Sequence, residues 1–215
     1  MKIKICCVSS LDEARMAVNA GAAAIGLVSE MPSGPGIISE DLIGEISAWA
    51  TGQVETFLLT ALQIADRIIA QQRRCNTSAL QLCDTVPEDT YARLRTALPR
   101  IRLVQVIHVA GPDALDQALA VASHVDALLL DSGNPALPTK QLGGTGQTHN
   151  WDLSAKIVKA SPVPVYLAGG LHAGNVAAAI ESVRPYGVDV CSGVRSGGRL
   201  DGDKLANFML AATGG

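Results

Sequence analysis

In this 215-residue chain two side chains of types that move protons, Cys6 in "MKIKICCVSS" and Asp131 in "DALLLDSG", stand at the ends of apolar runs. In the first run, period-two alternation sets Lys2, Lys4 and Cys6 on one face and Ile3, Ile5 and Cys7 on the other. If the run is a barrel strand, the Lys/Cys face lines the lumen, Cys6 is the last residue of that row at the mouth, and Cys7 turns toward packing. A thiol is mostly protonated at neutral pH, and an ammonium such as that of Lys4 nearby favours its thiolate. Cys6 is then a base or nucleophile; the alternative is a small hydrophobe capping the strand. Asp131 stands on the same inward row as Ala127 and Leu129. The two strands fall three places apart around an eight-strand ring, so acid and base face each other over the lumen. That arrangement moves protons at two positions of one small substrate. The alternative for Asp131 is a carboxylate capping its own loop.

Glycine-rich strand ends supply a second kind of chemistry. Gly143-Gly144 in "LGGTGQT", Gly169-Gly170 in "YLAGGLH" and Ser192-Gly193 in "CSGVRSGG" remove side chains where backbone N–H groups could converge on an anion. One Gly-Gly is more often a turn than a cradle. Two with a Ser-Gly at the next strand end favour a phosphate, and those after strands seven and eight sit where barrels hold one. His108 and His149 are weaker candidates for orienting substrate, because a lone histidine at a strand end is more often structural. His172 is expected to help cap a helix.

These residues need elements to position them. Short apolar runs at 2–7, 23–28, 54–60, 78–83, 102–109, 126–131, 164–168 and 187–192 alternate with amphipathic stretches near 11–20, 40–50, 63–74, 88–97, 113–122, 152–160, 175–183 and 203–212. "SLDE" at Ser10 to Glu13 reads as a capping box with Gly21 ending the helix, and Ser39 precedes Glu40 and Asp41 as an N-cap with acids in the first turn. Eight βα pairs at about 27 residues each predict a single-domain (β/α)8 TIM barrel spanning 1–215, near the compact end for that architecture. A doubly wound sheet is the competitor, but "CCVSSLD" lacks the glycine-rich turn such a sheet usually carries after its first strand. Two long connections, "SEMPSGPGIIS" and "SGNPALPTKQLGGTGQTHN", follow strands two and six on the face where barrels bind ligands.

Composition narrows the partners. A net charge of -3, 17% charged residues and no basic cluster beyond "QQRRC" speak against nucleic acid. Five cysteines without a CxxC or paired-His spacing support neither a disulfide framework nor a zinc site. No apolar run approaches a membrane span and no signal-peptide pattern opens the chain, so a cytoplasmic protein away from membranes is expected.

The motifs "ALLLDS", "LGGTGQTHNW", "PVYLAGGLHAGNV" and "GVDVCSGVRSGGRLD", with "KIC" and "AGAAAIGLV" near the start, resemble the phosphoribosylanthranilate isomerase family over nearly the whole length. The resemblance implies an Amadori rearrangement in tryptophan biosynthesis, an intramolecular oxidoreduction that converts an N-linked aldose phosphate to its 1-amino-ketose. It puts the catalytic base on Cys6 and the acid on Asp131. It puts the phosphate loops on Gly144 and Thr145, Gly169 and Gly170, and Ser192 and Gly193. Lys4 and Arg195 are candidates for orienting the substrate, no metal or cofactor is implied, and the partner is a small sugar phosphate bound by a monomer or homodimer.

The chain departs from the family pattern in four places. Cys7 stands where glycine is usual, and "MPSGPG" lacks the arginine that pairs with the anthranilate carboxylate. "QLCD" replaces Gln-Leu-His-Gly, and Arg195 replaces a glutamate. A paralogous barrel acting on a different sugar phosphate, or a non-catalytic sugar-phosphate-binding barrel, are the alternatives these departures raise.

Overall fold

Eight strands, each too short to be stable alone, close on one another. In the computed structural model, which describes residues 1–134, 136–144, 146 and 148–214, the strands are β1 (Lys2–Ile5), β2 (Ala24–Val28), β3 (Glu55–Thr60), β4 (Ala79–Leu82), β5 (Arg102–His108), β6 (Ala127–Asp131), β7 (Val165–Leu167) and β8 (Gly187–Val190). Each pairs in parallel with its sequence neighbour, and β1 pairs with β8, so the sheet is a closed barrel. Helices α1 (Leu11–Asn19), α2 (Glu40–Ala50), α3 (Ala65–Cys75), α4 (Glu88–Ala97), α5 (Ala114–Ala122), α6 (Trp151–Ala160), α7 (Val176–Val183) and α8 (Gly202–Thr213) follow the strands in turn. This is the (β/α)8 architecture expected from the alternation. Every forecast element is present, with ends shifted by one or two residues.

Local chemistry sets the helix starts. Ser10, Ser39, Asn150 and Asp201 each accept backbone N–H groups at an N-terminus, satisfying donors that have no partner inside the helix. The Ser10 box is modified: Ser10 Oγ accepts from Glu13 N at 3.2 Å, but the Glu13 carboxylate reaches back to Ser9 N at 2.9 Å instead of to the cap's own amide.

Outward residues such as Ile3, Ile5, Leu58, Leu80, Leu128 and Leu130 pack under the helices in one continuous core. Each such side chain contributes roughly 1.5–3 kcal/mol relative to exposure. The lumen holds a second, smaller core. Phe57 and Tyr166, both fully buried, meet edge to face at 6.2 Å and fill its middle, leaving space only above them at the carboxyl ends of the strands.

One small element was not legible in the sequence. After β8 the chain makes a 3-10 turn (Ser192–Val194) and a two-residue hairpin, β9 (Arg195–Ser196) with β10 (Arg199–Leu200), before α8. Two-residue strands carry too little periodicity to register.

Candidate active site

The inward rows of the strands end in a ring of polar side chains. Cys6, Gln81, Cys83, Asp131, Asp189 and Cys191 all line one cavity at the carboxyl face of the barrel. The structure therefore brings the two residues singled out for acid and base work, Cys6 and Asp131, into one cavity. They lie at the ends of strands three places apart.

Cys6 rests on a charged layer. The register sets Lys4 opposite Asp189, and the Lys4 ammonium lies 2.9 Å from Asp189 Oδ2 and 3.5 Å from Cys6 Sγ. Burial alone would push the Lys4 amine down, but the Asp189 carboxylate and the Cys6 sulfur outweigh it and hold it well above its ordinary value, as an ammonium. Gly26 makes room for this group: a Cβ there would sit 2.8 Å from Cys6 Sγ and 3.1 Å from Lys4 Nζ. Lys4 has no exposed surface and lies beneath Cys6. The expectation that it orients substrate is corrected: its ammonium is spent on Asp189 and Cys6, below the cavity.

Asp131 is buried, and that burial raises its carboxyl above the ordinary value, helped by the charge of Asp189 and opposed by the Ser132 amide and His108. Its Oδ1 accepts from Ser132 N at 2.7 Å. The loop after β6 closes onto it at Gly143, where a Cβ would stand 2.5 Å from Asp131 Oδ2. A carboxyl that holds its proton more tightly than usual, in a fixed orientation, is suited to donate it.

The glycine-rich ends converge. Gly143, Gly144 and Gly146 from the loop after β6, Gly169 and Gly170 from β7, and Ser192 from β8 line the same cavity. Gly169 and Gly170 have φ of 83° and 61°, the left-handed region where a side chain is costly. Gly193 does not line the cavity. A Cβ there would fall 2.0 Å from Leu171 O, so glycine at this position lets the β7 and β8 loops approach each other. Thr145 lies outside the described residues. The long loop after β2 completes the rim: Ser33 Oγ donates to Lys140 O at 2.7 Å, joining it to the loop after β6.

Two further expectations are corrected. Cys7 does not turn outward to the helices: β1 ends at Ile5, Cys7 has φ 61°, and its thiol lines the cavity, 2.8 Å from Cys191 Sγ. Arg195 does not face the substrate either. Its guanidinium binds Glu13 at 3.0 and 3.1 Å, the Gly198 carbonyl at 3.0 Å and the Cys7 carbonyl. Glu13 also accepts from Leu200 N at 2.8 Å. Burial works against its ionisation, but Arg195 and the amides of Leu200 and Ser9 hold it below the usual carboxylate range. This buried pair pins the turn that carries Cys6 to the hairpin after β8.

The histidines fall outside the cavity. His108 Nε2 bonds the Cys83 carbonyl at 3.0 Å, and His149 Nε2 bonds Ser154 Oγ at 2.8 Å. His172 lies in the turn that opens α7, its carbonyl accepting from Asn175 and Val176.

Sequence reasoning missed Asp189, although the period-two row Gly187, Asp189, Cys191 places it inward. Gly143 was noted only as half of a doublet. Among the described residues lining the cavity there is no Lys, Arg or His. The ends of β2 to β4 and the loop after β2 contribute Val28, Met31, Leu59 and Cys83, the loop after β6 contributes Leu142, and Ser33 and Gln81 are neutral polar groups.

Comparison with known proteins gives a consistent pattern. The family model for N-(5'-phosphoribosyl)anthranilate (PRA) isomerase matches residues 3–211. N-(5'-phosphoribosyl)anthranilate isomerase 2 of Methanosarcina mazei is 36% identical, over 99% of this chain and 94% of its own. The crystal structure of phosphoribosyl anthranilate isomerase from Thermotoga maritima superposes with a TM-score of 0.84 at 28% identity, covering 100% of this chain and 99% of that one. A phosphoribosyl anthranilate isomerase in complex with reduced 1-(o-carboxyphenylamino)-1-deoxyribulose 5-phosphate superposes at 0.81 with 26% identity, covering 100% and 99%.

Proposed function

Because the chain belongs to the N-(5'-phosphoribosyl)anthranilate isomerase family, we propose that it carries out the family's Amadori rearrangement in tryptophan biosynthesis with Asp131 as general acid and Cys6 as general base. The observation that carries this reading is the pairing of the two groups in one cavity, the acid with its carboxyl raised by burial and the thiol beside a buried ammonium.

Asp131 gives its proton to the ribose ring oxygen as the furanose opens. Opening leaves an N-linked Schiff base at C1, which withdraws electrons from the C2–H bond. Cys6, as thiolate, takes the C2 proton, and the enolamine that forms tautomerises to the 1-amino-ketose phosphate. General acid and base each contribute typically 10²–10⁴-fold to such steps. The Schiff base is the electron sink, so the reading calls on no metal or organic cofactor. Backbone amides of Gly144, Gly169, Gly170 and Ser192 are proposed to hold the phosphate, with Thr145 and Gly193 in the same loops. The partner is a small sugar phosphate, bound in the cytoplasm by a monomer or homodimer. No described helix is long and apolar enough to cross a membrane.

The test is direct. Purified protein should consume the fluorescence of phosphoribosylanthranilate, and Cys6→Ala should lower kcat by about 10²–10⁴ with little change in KM. Full activity in Cys6→Ala would remove Cys6 from the reaction. The absence of a cation among the described lining residues favours one second reading, a related N-(5-phosphoribosyl) amine lacking the carboxylate. Failure to rescue an isomerase-deficient tryptophan auxotroph, despite expression of folded protein, would select it.

A further inference from the structure

Three of the five free thiols of the chain gather at one place. Cys6 and Cys7 end the first strand's run and Cys191 follows β8, 184 residues on from Cys7. Cys7 and Cys191 share a hydrogen bond with their sulfurs 2.8 Å apart, so less than an ångström of motion separates them from bonding distance.

The backbone fixes this geometry. The Cys7 carbonyl is held by Arg195, whose guanidinium is anchored on Glu13, and Gly36 packs so closely that a Cβ there would lie 2.6 Å from Cys7 Cβ. Cys191 is partly exposed, whereas Cys6 and Cys7 are 6% and 5% exposed. A reagent entering the cavity therefore meets Cys191 first.

We propose that Cys7 and Cys191 are an oxidative modification site, a dithiol that reacts with a hydroperoxide to form an intramolecular disulfide across the β1–β8 seam of the barrel. The Cys191 thiolate attacks a peroxide oxygen and the O–O bond breaks. The leaving oxygen takes up a proton as alcohol, or as water when the oxidant is hydrogen peroxide, and Cys191 becomes a sulfenic acid. The Cys7 sulfur then attacks that sulfur. The S–S bond forms, the S–O bond breaks, and the hydroxyl departs with the Cys7 proton as water. Two thiols and one hydroperoxide thus give one disulfide, one alcohol and one water.

The division of roles follows the surroundings. The hydrogen bond shared with Cys7, with Arg195 nearby, pulls the Cys191 thiol down against its burial. Cys7 is pushed well up by the same hydrogen bond, by Cys6 and by burial. Cys191 is the nucleophile and Cys7 the resolving thiol. Cys6, less exposed, is left in the thiol state.

The experiment treats the protein with hydrogen peroxide, quenches with catalase, alkylates under denaturing conditions and maps the peptides. Two of the five thiols should disappear with a mass loss of about 2 Da, restored by dithiothreitol. The new cross-link should join the Cys7 and Cys191 segments. Cys6→Ser should keep the cross-link, while Cys7→Ser and Cys191→Ser should each abolish it. Oxidation of Cys6 to sulfinic acid with Cys7 and Cys191 still reduced would overturn the proposal, as would a Cys6–Cys191 cross-link or five thiols surviving the treatment. None of these readouts depends on isomerase activity, so the outcome stands apart from that assignment.

Discussion

Lys4 and Asp189 face each other across the β1–β8 seam at 2.9 Å, and their ion pair is the layer on which Cys6 sits. The pair is sealed from solvent, with side-chain exposures of 0% and 7%. Two opposing costs meet here: the charges lose their hydration, and their mutual attraction in a dry lumen returns most of it. The ammonium also faces Cys6 Sγ at 3.5 Å, so the positive member of the pair stands beside the proposed base.

Removing that charge should show in both stability and activity. Lys4→Met leaves the Asp189 carboxylate buried without its partner, and we expect a loss of about 3–5 kcal/mol in urea unfolding. kcat/KM should fall as well, because the proposed base loses the ammonium that stands 3.5 Å from its sulfur. An unchanged kcat/KM in folded Lys4→Met would show that the ammonium serves packing alone.

Asp131 should display the conflict between stability and catalysis. Its folded carboxyl titrates above the ordinary aspartate value because of burial. A raised carboxyl contributes stability that is complete below the unfolded pKa of about 3.9 and is lost as pH rises through the folded value. At pH 7, above the unfolded value, the group therefore costs stability. Asp131→Asn should raise stability at pH 7 by about 1 kcal/mol while lowering kcat by about 10²–10⁴. Equal melting temperatures at pH 7 for the two proteins would argue that Asp131 carries no such cost.

Much of this was legible in the sequence, for physical reasons that differ by residue. Asp131 and Cys6 could be placed because a strand repeats every two residues and a barrel has an inside. The same rule failed at Cys7, because regular extended geometry stops at Ile5 and a left-handed residue reverses the side chain's direction. Arg195 reads as a free cation near a phosphate loop until the fold brings Glu13 to it from 182 residues away. Long-range pairing of single charges leaves no periodic trace. The position of Gly143 against Asp131 is likewise a property of a loop's path, which no local pattern specifies.

His149 should set part of the acid sensitivity of the fold. Burial holds its imidazole down to about 4, against an ordinary value near 6.5. Between those values the unfolded chain binds a proton that the native protein refuses, so stability falls as pH drops from about 6.5 to 4. His149→Gln, which keeps a polar atom near Ser154 Oγ, should flatten the urea midpoint over that window. A midpoint that falls as steeply in His149→Gln would assign the acid sensitivity elsewhere.

The aglycone side of the cavity leads to a prediction about selectivity. A carboxylate bound by a guanidinium gains a charge-assisted contact of about 1.5–3 kcal/mol, and an enzyme built that way should reject a substrate lacking the carboxylate by about ten- to a hundredfold. Here the described lining near β2 to β4 offers Val28, Met31, Leu59, Cys83 and Leu142, with only Ser33 and Gln81 as neutral polar partners. Neutral hydrogen bonds contribute about 0.5–1.5 kcal/mol each, so the penalty for losing the carboxylate should be small. We expect N-(5-phosphoribosyl)aniline to be isomerised with kcat/KM within about tenfold of that for phosphoribosylanthranilate, the difference residing in KM. The same comparison in 0.5 M salt, on the order of a 4 Å screening length, should give nearly the same ratio, since the described lining offers no cation to be screened. A ratio well above a hundredfold that collapses in salt would mean that a cation from outside this lining reaches the carboxylate in the bound state. Lys140, tethered to Asp84 at 2.5 Å and joined through its carbonyl to Ser33, would then be the first side chain to truncate.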